Sequence, residues 1–299
     1  MPPAIRVERL AKSFEGRQVV KEISFEVHPG EIFGFLGPNG AGKTTSIRMM
    51  IGELVPDAGE VVIAGLPMPA ERDRLKSIIG VVPDHQNLYD RLTVRQNLDL
   101  FARLYQVPPQ RVDELIDLVH LREHLDHPTV RLSRGLRQRT LIARGILHRP
   151  SVFFLDEPTS ALDPHSAQVI RRLIRDLRDQ GTTVFLTTHY MEEANSLCHR
   201  IAIMHQGTIV AIDTPAGLRM RFGRPTIRVT LKDAEAPVEL PLNDPEGART
   251  LAGFLAAGRV ARLHSQEATL EEAFMRLTGA EWHEPDPGTE SPAGGRATA

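Results

Sequence analysis

Residues 32 to 44, IFGFLGPNGAGKT, constrain the fold more than any other stretch of this chain. Ile32 to Leu36 read as a short buried strand, and the strand runs straight into Gly37-Pro38-Asn39-Gly40-Ala41-Gly42-Lys43-Thr44, which matches GxxxxGK[ST]. SIRMMIGEL follows with the look of a helix. Strand, glycine loop and helix are the context a phosphate loop requires, because backbone N–H groups at a helix start then point at an anion. In such a loop the glycines let the backbone surround a β-phosphate, Lys43 neutralises β- and γ-oxygens, and the Thr44 hydroxyl can ligate Mg²⁺.

The rest of the chain supplies a parallel sheet for this loop to sit on. SVFFLDEP (151 to 158) is a second apolar strand that ends in acids, and TTVFLTTHY (182 to 190) is a third that ends in His189. Between them QVIRRLIRDLRDQG has apolar residues at helical spacing and a glycine stop, which gives strand, crossover helix, strand. Ahead of the loop VVKEISFEV alternates like a half-buried strand, and RIAIMHQGTIVAID (200 to 213) reads as a hairpin around Gln206-Gly207. The stretch from about 88 to 149 is helical throughout and interrupts the sheet pattern. After Gly223 come short strands (TIRVTL, VELPL), a helix near GARTLAGFLAAG and a last helix near TLEEAFMRLTG. The expected organisation is a main domain over 1–222 with a helical insert at about 88–149, a small α+β domain over 223–279, and a disordered tail over 280–299.

Charge and cysteine content narrow the partners. Lys and Arg number 36 against 38 Asp and Glu, a formal net of -2, which argues against nucleic acid as the partner. The single cysteine, Cys198, allows no intramolecular disulfide and fits a reducing cytoplasm. MPPAIRVERLAKSF lacks the apolar core of a signal peptide, and no apolar run approaches the ~18 residues that span a bilayer. Any membrane role is expected to come through a partner.

Asp156 and Glu157 follow the strand VFFL and so belong at the sheet's C-terminal edge beside the phosphate loop. There Asp156 would hold the Mg²⁺ shell and Glu157 would polarise an attacking water, a role worth typically ~10²- to 10⁴-fold in rate. Ser160-Ala-Leu-Asp163 comes next, and LSRGLRQR (132 to 139) precedes the acids. Alone, that arginine-rich stretch suits a basic patch, a helix start or an altered phosphate loop equally well.

In order, LAKSFEGR, GPNGAGKTT, LSRGLRQR, VFFLDEP, SALD and TTH resemble one family, the ATP-binding subunits of ABC transporters, from about Ile5 to Leu218. The TLEEAFMRLTG ending further resembles the subgroup that serves ABC-2 type exporters, including multidrug and daunorubicin-like systems. The resemblance implies an α/β fold with a P-loop NTPase core of ABC type, an antiparallel β subdomain, a helical subdomain insert and a small C-terminal α+β domain. It implies that Phe14 stacks on adenine, that Asn39 to Thr45, through Gly40, Ala41, Gly42, Lys43 and Thr44, hold the phosphates of ATP, and that Gly37 and Pro38 open that loop. It makes Asp156 and Glu157 the Walker B acids, Asp163 the D-loop contact and His189 the γ-phosphate sensor. Family members act as head-to-tail dimers, so Ser133 and Gly135 would close on ATP held by the opposite subunit, either a second copy or a related ATPase. A separate integral membrane permease subunit is implied as partner, with this chain on the cytoplasmic side of the membrane. The competing readings are a soluble ABC-type ATPase acting on nucleic acid or ribosomes, for which heptads and an internal repeat are missing, and a nucleotide-binding regulator that does not hydrolyse.

Three places depart from the pattern or invite another reading. Arg134 and Leu136 stand where the family's LSGGQ has a glycine and the glutamine, and one lost neutral hydrogen bond costs roughly 0.5 to 1.5 kcal/mol. Asp84 aligns with the family's Q-loop glutamine, where it can ligate Mg²⁺ but adds negative charge, and Gln86 could substitute under a shifted loop. His120, His124 and His127, with Glu123, at i, i+4 and i+7 would share one helical face, a spacing that can bind zinc, while Pro128 and the neighbouring charges suit an exposed helix end equally well.

Overall fold

Alternating burial builds the first layer. Ile5, Val7 and Leu10 of β1 (Ile5–Phe14) and Val20, Ile23, Phe25 and Val27 of β2 (Arg17–Val27) turn inward. The structure is a computed structural model of the 299-residue chain, and it describes residues 2–85, 87–223, 226–234, 236–241, 244–266 and 268–280. β3 (Ile32–Leu36) is buried along its whole length and leads through the phosphate loop into α1 (Lys43–Met50). β4 (Ala58–Ile63), β5 (Leu66–Met68), the single turn α2 (Arg72–Leu75) and β6 (Ile79–Val82) follow. β2, β1, β4 and β5 pair in that order as an antiparallel sheet.

The insert contains α3 (Val94–Leu104), α4 (Pro109–Leu118) and α5 (Arg134–Gly145). A capping box starts α3: the Thr93 hydroxyl accepts from the Gln96 N–H, and the Gln96 side chain accepts from the Thr93 N–H. Leu98, Val112, Leu115, Leu141 and Ile142 of these helices lie in one apolar cluster with Val82 and Leu155 of the main sheet. The insert therefore shares the main core. The histidines do not share a helical face, because His120 adopts a left-handed backbone (φ 54) and His124 ends a separate 3₁₀ turn, Arg122–His124.

β7 (Val152–Asp156), α6 (Pro164–Asp179), β8 (Thr183–Thr188), α7 (Met191–Leu197), β9 (Arg200–His205), β10 (Thr208–Asp213) and α8 (Pro215–Phe222) complete this part. The second sheet has the order β10-β9-β3-β8-β7-β6, parallel except for β10. β3, β7 and β8 are buried at every residue, as strands covered on both faces must be. Phe25 of the antiparallel sheet stacks on Phe33 of β3 with ring centroids 5.6 Å apart, and it meets Phe35 of the same strand edge-on at 4.9 Å. Such pairs, each worth about 0.5–1.5 kcal/mol beyond area burial, fix one sheet on the other and so fix the phosphate loop between them.

β11 (Thr226–Leu231) then pairs on either side with β12 (Val238–Pro241) and β13 (Val260–Gln266), with α9 (Pro245–Ala256) packed beside β12. Val229, Leu231 and Leu240 form a small core of their own here. The last helix, α10 (Leu270–Thr278), differs from its neighbours: Leu270, Ala273 and Phe274 are buried in the cluster of the main domain, against α8 and α7. The Phe274 ring meets His205 of β9 edge-on at 6.0 Å. The small sheet is thus an excursion, after which the chain returns to the main core. Phe274→Ala is expected to destabilise the main domain by about 3–5 kcal/mol, the usual cost of emptying a buried aromatic site, read as a lowered melting temperature of the chain. Of the tail expected over 280–299, Ala280 packs against the main core and 281–299 lie outside the described residues.

Candidate functional site

Strand order decides what meets at the sheet edge. β8 lies between β3 and β7, so the loops after Leu36, Asp156 and Thr188 emerge side by side, with the loop after Val82 of β6 next along. The phosphate loop closes on this edge through the Gly37 N–H, which donates to the Thr188 carbonyl at 3.3 Å. A Cβ on Gly37 would stand 2.2 Å from the Met204 carbonyl oxygen, so close approach of backbone excludes any side chain there. Gly42 caps α1 with φ 104, a left-handed conformation that L side chains avoid.

Lys43 is buried and folds back over the loop. Its ammonium donates to the Gly37 carbonyl at 2.8 Å and the Pro38 carbonyl at 3.1 Å, and it lies 3.2 Å from Glu157 Oε1. The other carboxylate oxygen of Glu157, Oε2, is 2.9 Å from His189 Nδ1. Glu157 itself has a positive φ of 49, backbone strain of the kind that persists where surrounding structure holds it. Two bonds do so: its N–H lies 3.2 Å from the Thr187 carbonyl oxygen and 3.0 Å from Thr187 Oγ1. Burial favours the neutral form of Glu157, but the His189 contact and then the Lys43 charge outweigh it and hold the carboxyl below its ordinary range. A carboxylate kept ionised, 14% exposed and flanked by the Lys43 ammonium and the His189 ring is suited to accepting a proton from a water. Both ring nitrogens of His189 are buried without a well-formed hydrogen bond among the described residues, although Nδ1 lies within 2.9 Å of Glu157 Oε2.

Asp156, one residue earlier, points below this layer. Thr187 donates its hydroxyl to Asp156 Oδ1, and the Thr44 hydroxyl also bonds this carboxylate. Burial pushes the Asp156 carboxyl up despite both bonds. Asp84, at the end of β6, joins the same electrostatic group: burial and then the Glu157 charge push it up, while Arg134, His85 and His189 pull it down. Gln86 lies outside the described residues. Among the described residues no group of three or more His, Cys, Asp or Glu is placed to hold a metal, which removes the three-histidine zinc reading. One buried carboxylate beside a hydroxyl does fit Mg²⁺, a hard ion that keeps several waters and shares its shell with substrate phosphates.

The remaining expected residues stand apart from this cluster. Phe14 ends β1, 44% exposed, with the Lys12 ammonium 5.7 Å from its ring centroid, on a hairpin whose Val19 and Val20 pack against Gly42. Ser133 caps α5, its hydroxyl accepting from the Leu136 N–H at 3.3 Å, and both Ser133 and Arg134 are exposed. Gly135 is buried: a Cβ there would meet Ser166 Oγ at 2.5 Å. Asp163 caps α6 by accepting from the Ser166 N–H at 2.9 Å, which brings the starts of α5 and α6 together.

Thr187 was not singled out in the sequence, although it contacts both acids. Its signal is only the TT before His189, and its partner is set by strand register, Asp156 opposite Thr187.

Comparison with known proteins agrees with the order of these elements. The family model described as ABC transporter matches residues 20–160. A Nod factor export ATP-binding protein I from Paraburkholderia xenovorans is 37% identical over 298 residues, spanning 93% of this chain and 98% of the relative. Its counterpart from Rhizobium etli is 34% identical, spanning 93% and 94%. The chain belongs to the ABC transporter family as an ATP-binding subunit. A solved ATP-binding subunit of an ABC transporter matches with a TM-score of 0.67 and 26% identity over 73% of this chain and 93% of its own. A dimeric cassette in a post-hydrolysis state bound to ADP and Pi matches with a TM-score of 0.64 and 25% identity, over 70% of this chain and 98% of its own. The ABC subunit is accordingly an ATPase that binds ATP, and its mixed fold is that of the cassettes. No helix among the described residues of the subunit is long and apolar enough to cross a membrane.

Proposed function

We propose that this ATPase binds MgATP between two subunits arranged head to tail, and that closure and reopening of the pair drive a separate membrane permease that exports its substrate. The observation that carries the reading is the position of Ser133. It presents an exposed hydroxyl at the positive end of a 12-residue helix, yet takes no part in the contacts that join Lys43, Glu157 and His189. A phosphate-binding element on the surface, outside its own site, has work to do in a neighbour's.

In this reading Lys43 and the loop from Asn39 to Thr45 hold the phosphates, Phe14 stacks on the base, and Thr44 and Asp156 hold Mg²⁺ with Asp84 near its shell. Glu157 takes the proton of the attacking water, and His189 Nε2 reaches the γ-phosphate. Ser133, Gly135 and Asp163 complete the partner's site. The dimeric solved cassette and the export named in the curated relatives support dimerisation and direction.

The membrane partner has a candidate seat. A cleft of about 620 Å³ opens between the insert and the segment from the end of α1 to β6, lined by Tyr89, Phe101, Tyr105, Arg144, Lys76 and Glu53. Tyr89 is held outward because buried Asn97 bonds the backbone on both sides of it: Asn97 Oδ1 accepts from the Tyr89 N–H, and its amide donates to the Tyr89 and Leu92 carbonyls. An aromatic, partly basic cleft fed by the loop from Asp84 suits a polypeptide segment of a permease on the cytoplasmic face of the membrane.

Ser133→Arg tests the dimer. The variant is expected to bind ATP as a monomer with unchanged affinity and to form no ATP-dependent dimer on size exclusion with Glu157→Gln in the background. Normal dimerisation would remove Ser133 from the interface and this reading with it.

A further inference from the structure

Glu193 has no part in the site described above, yet it is fully buried, one turn into the helix that follows His189. Burying a carboxyl is costly unless its oxygens are used, so this one needs an account. Its Oε1 accepts from the Thr159 hydroxyl at 2.7 Å. Thr159 lies two residues after Glu157, in the turn closed by the Ser160 N–H donating to the Glu157 carbonyl at 3.1 Å. On the other side the same carboxyl faces Thr188, whose hydroxyl oxygen accepts from the Tyr190 N–H at 3.0 Å and so shapes the bend that carries His189. The remaining oxygen, Oε2, is buried without a well-formed hydrogen bond among the described residues.

We infer that Glu193 is a positioning residue for hydrolysis, a buried bracket that holds the His189 segment and the Glu157 segment at a fixed separation by tying the helix that follows His189 to Thr159. The two segments come from different loops, after β7 and after β8, and the direct contact between their working side chains is the 2.9 Å approach of His189 Nδ1 to Glu157 Oε2. That contact lies at the sheet edge beside the phosphate loop. Glu193 braces it from behind, inside the core, where a hydrogen bond is not exchanged with water. Burial also pushes the Glu193 carboxyl up, toward the neutral form that can donate from one oxygen while accepting at the other. The same donor and acceptor pair is available from a glutamine amide.

The inference rests on the roles proposed for His189 and Glu157, and the experiment separates the two. Turnover, KM and affinity for a fluorescent ATP analogue would be measured for the full chain carrying Glu193→Leu, Glu193→Gln, Thr159→Val and His189→Ala. Glu193→Leu is expected to lower kcat at least 10-fold with KM and analogue affinity within 2-fold of wild type, and Glu193→Gln to restore kcat to within about 3-fold. Thr159→Val, which removes only the bond to Oε1, is expected to lower kcat in the same direction without moving KM. If Glu193→Leu fails to fold, Thr159→Val decides. Unchanged kcat in Glu193→Leu or Thr159→Val, or loss of nucleotide affinity in step with kcat, overturns the bracket. Full activity of His189→Ala would instead overturn the reading of His189 on which it depends.

Discussion

Glu157→Gln is expected to lower ATP turnover by about 10²- to 10⁴-fold, the range for loss of a positioned general base, while leaving ATP binding intact. The structure explains why one oxygen-to-amide exchange can do so much and no more. Glu157 is gripped by Lys43 at 3.2 Å and His189 at 2.9 Å, and its backbone is pinned to Thr187 in a strained conformation. Glutamine keeps the shape, so the loop and the nucleotide pocket stand, but it cannot take a proton. Because hydrolysis reopens the proposed dimer, the variant should accumulate as an ATP-dependent dimer, seen by size exclusion, while phosphate release falls to background. Turnover at the wild-type rate would move the base to another residue.

Lys43→Ala is expected to lose ATP affinity by about 10- to 100-fold, the value of one charge-assisted hydrogen bond of about 1.5–3 kcal/mol, and to lose turnover at least as steeply. A nucleotide titration by fluorescence would measure it. A second consequence concerns acid stability. A carboxyl whose folded value lies below its unfolded one stabilises the fold fully above the unfolded value, and that stability is lost as pH falls through the folded value. Glu157 is such a group, held down by His189 and Lys43 against its burial. Without Lys43 the depression shrinks, so the acid loss of melting temperature, which starts from the unchanged unfolded value, should be smaller and end at a higher pH than in wild type. Superimposable acid limbs would mean that Lys43 and Glu157 are uncoupled in solution.

Much of the architecture was legible because the relevant signals are local. The run IFGFL, the glycine spacing of the loop and the acids after VFFL each specify their own element. The histidine trio shows where that logic stops, since spacing alone suggested a helical face and a left-handed residue at His120 breaks it. Leu132-Ser133-Arg134-Gly135 shows a subtler limit. Its serine was readable as a phosphate contact, whereas the reason for a glycine at 135 within this chain is the approach of Ser166 from α6, which no local pattern records. The last helix is a third case: TLEEAFMRLTG reads as an amphipathic helix, but nothing in it says that Phe274 packs on the main core rather than on the small sheet beside it.

The sequence by itself determined the elements and the chemical types at their ends, because hydrophobic period, capping residues and glycine spacing act over a few neighbours. Only the tertiary structure decided which ends meet. β8 inserts between β3 and β7, so Lys43 and His189 both come within 3.2 Å of Glu157, Thr187 lands on Asp156, and Glu193 is buried beside them on the helix after His189. Strand order is set by the packing of whole faces, summed over the core, and no single stretch of chain carries it.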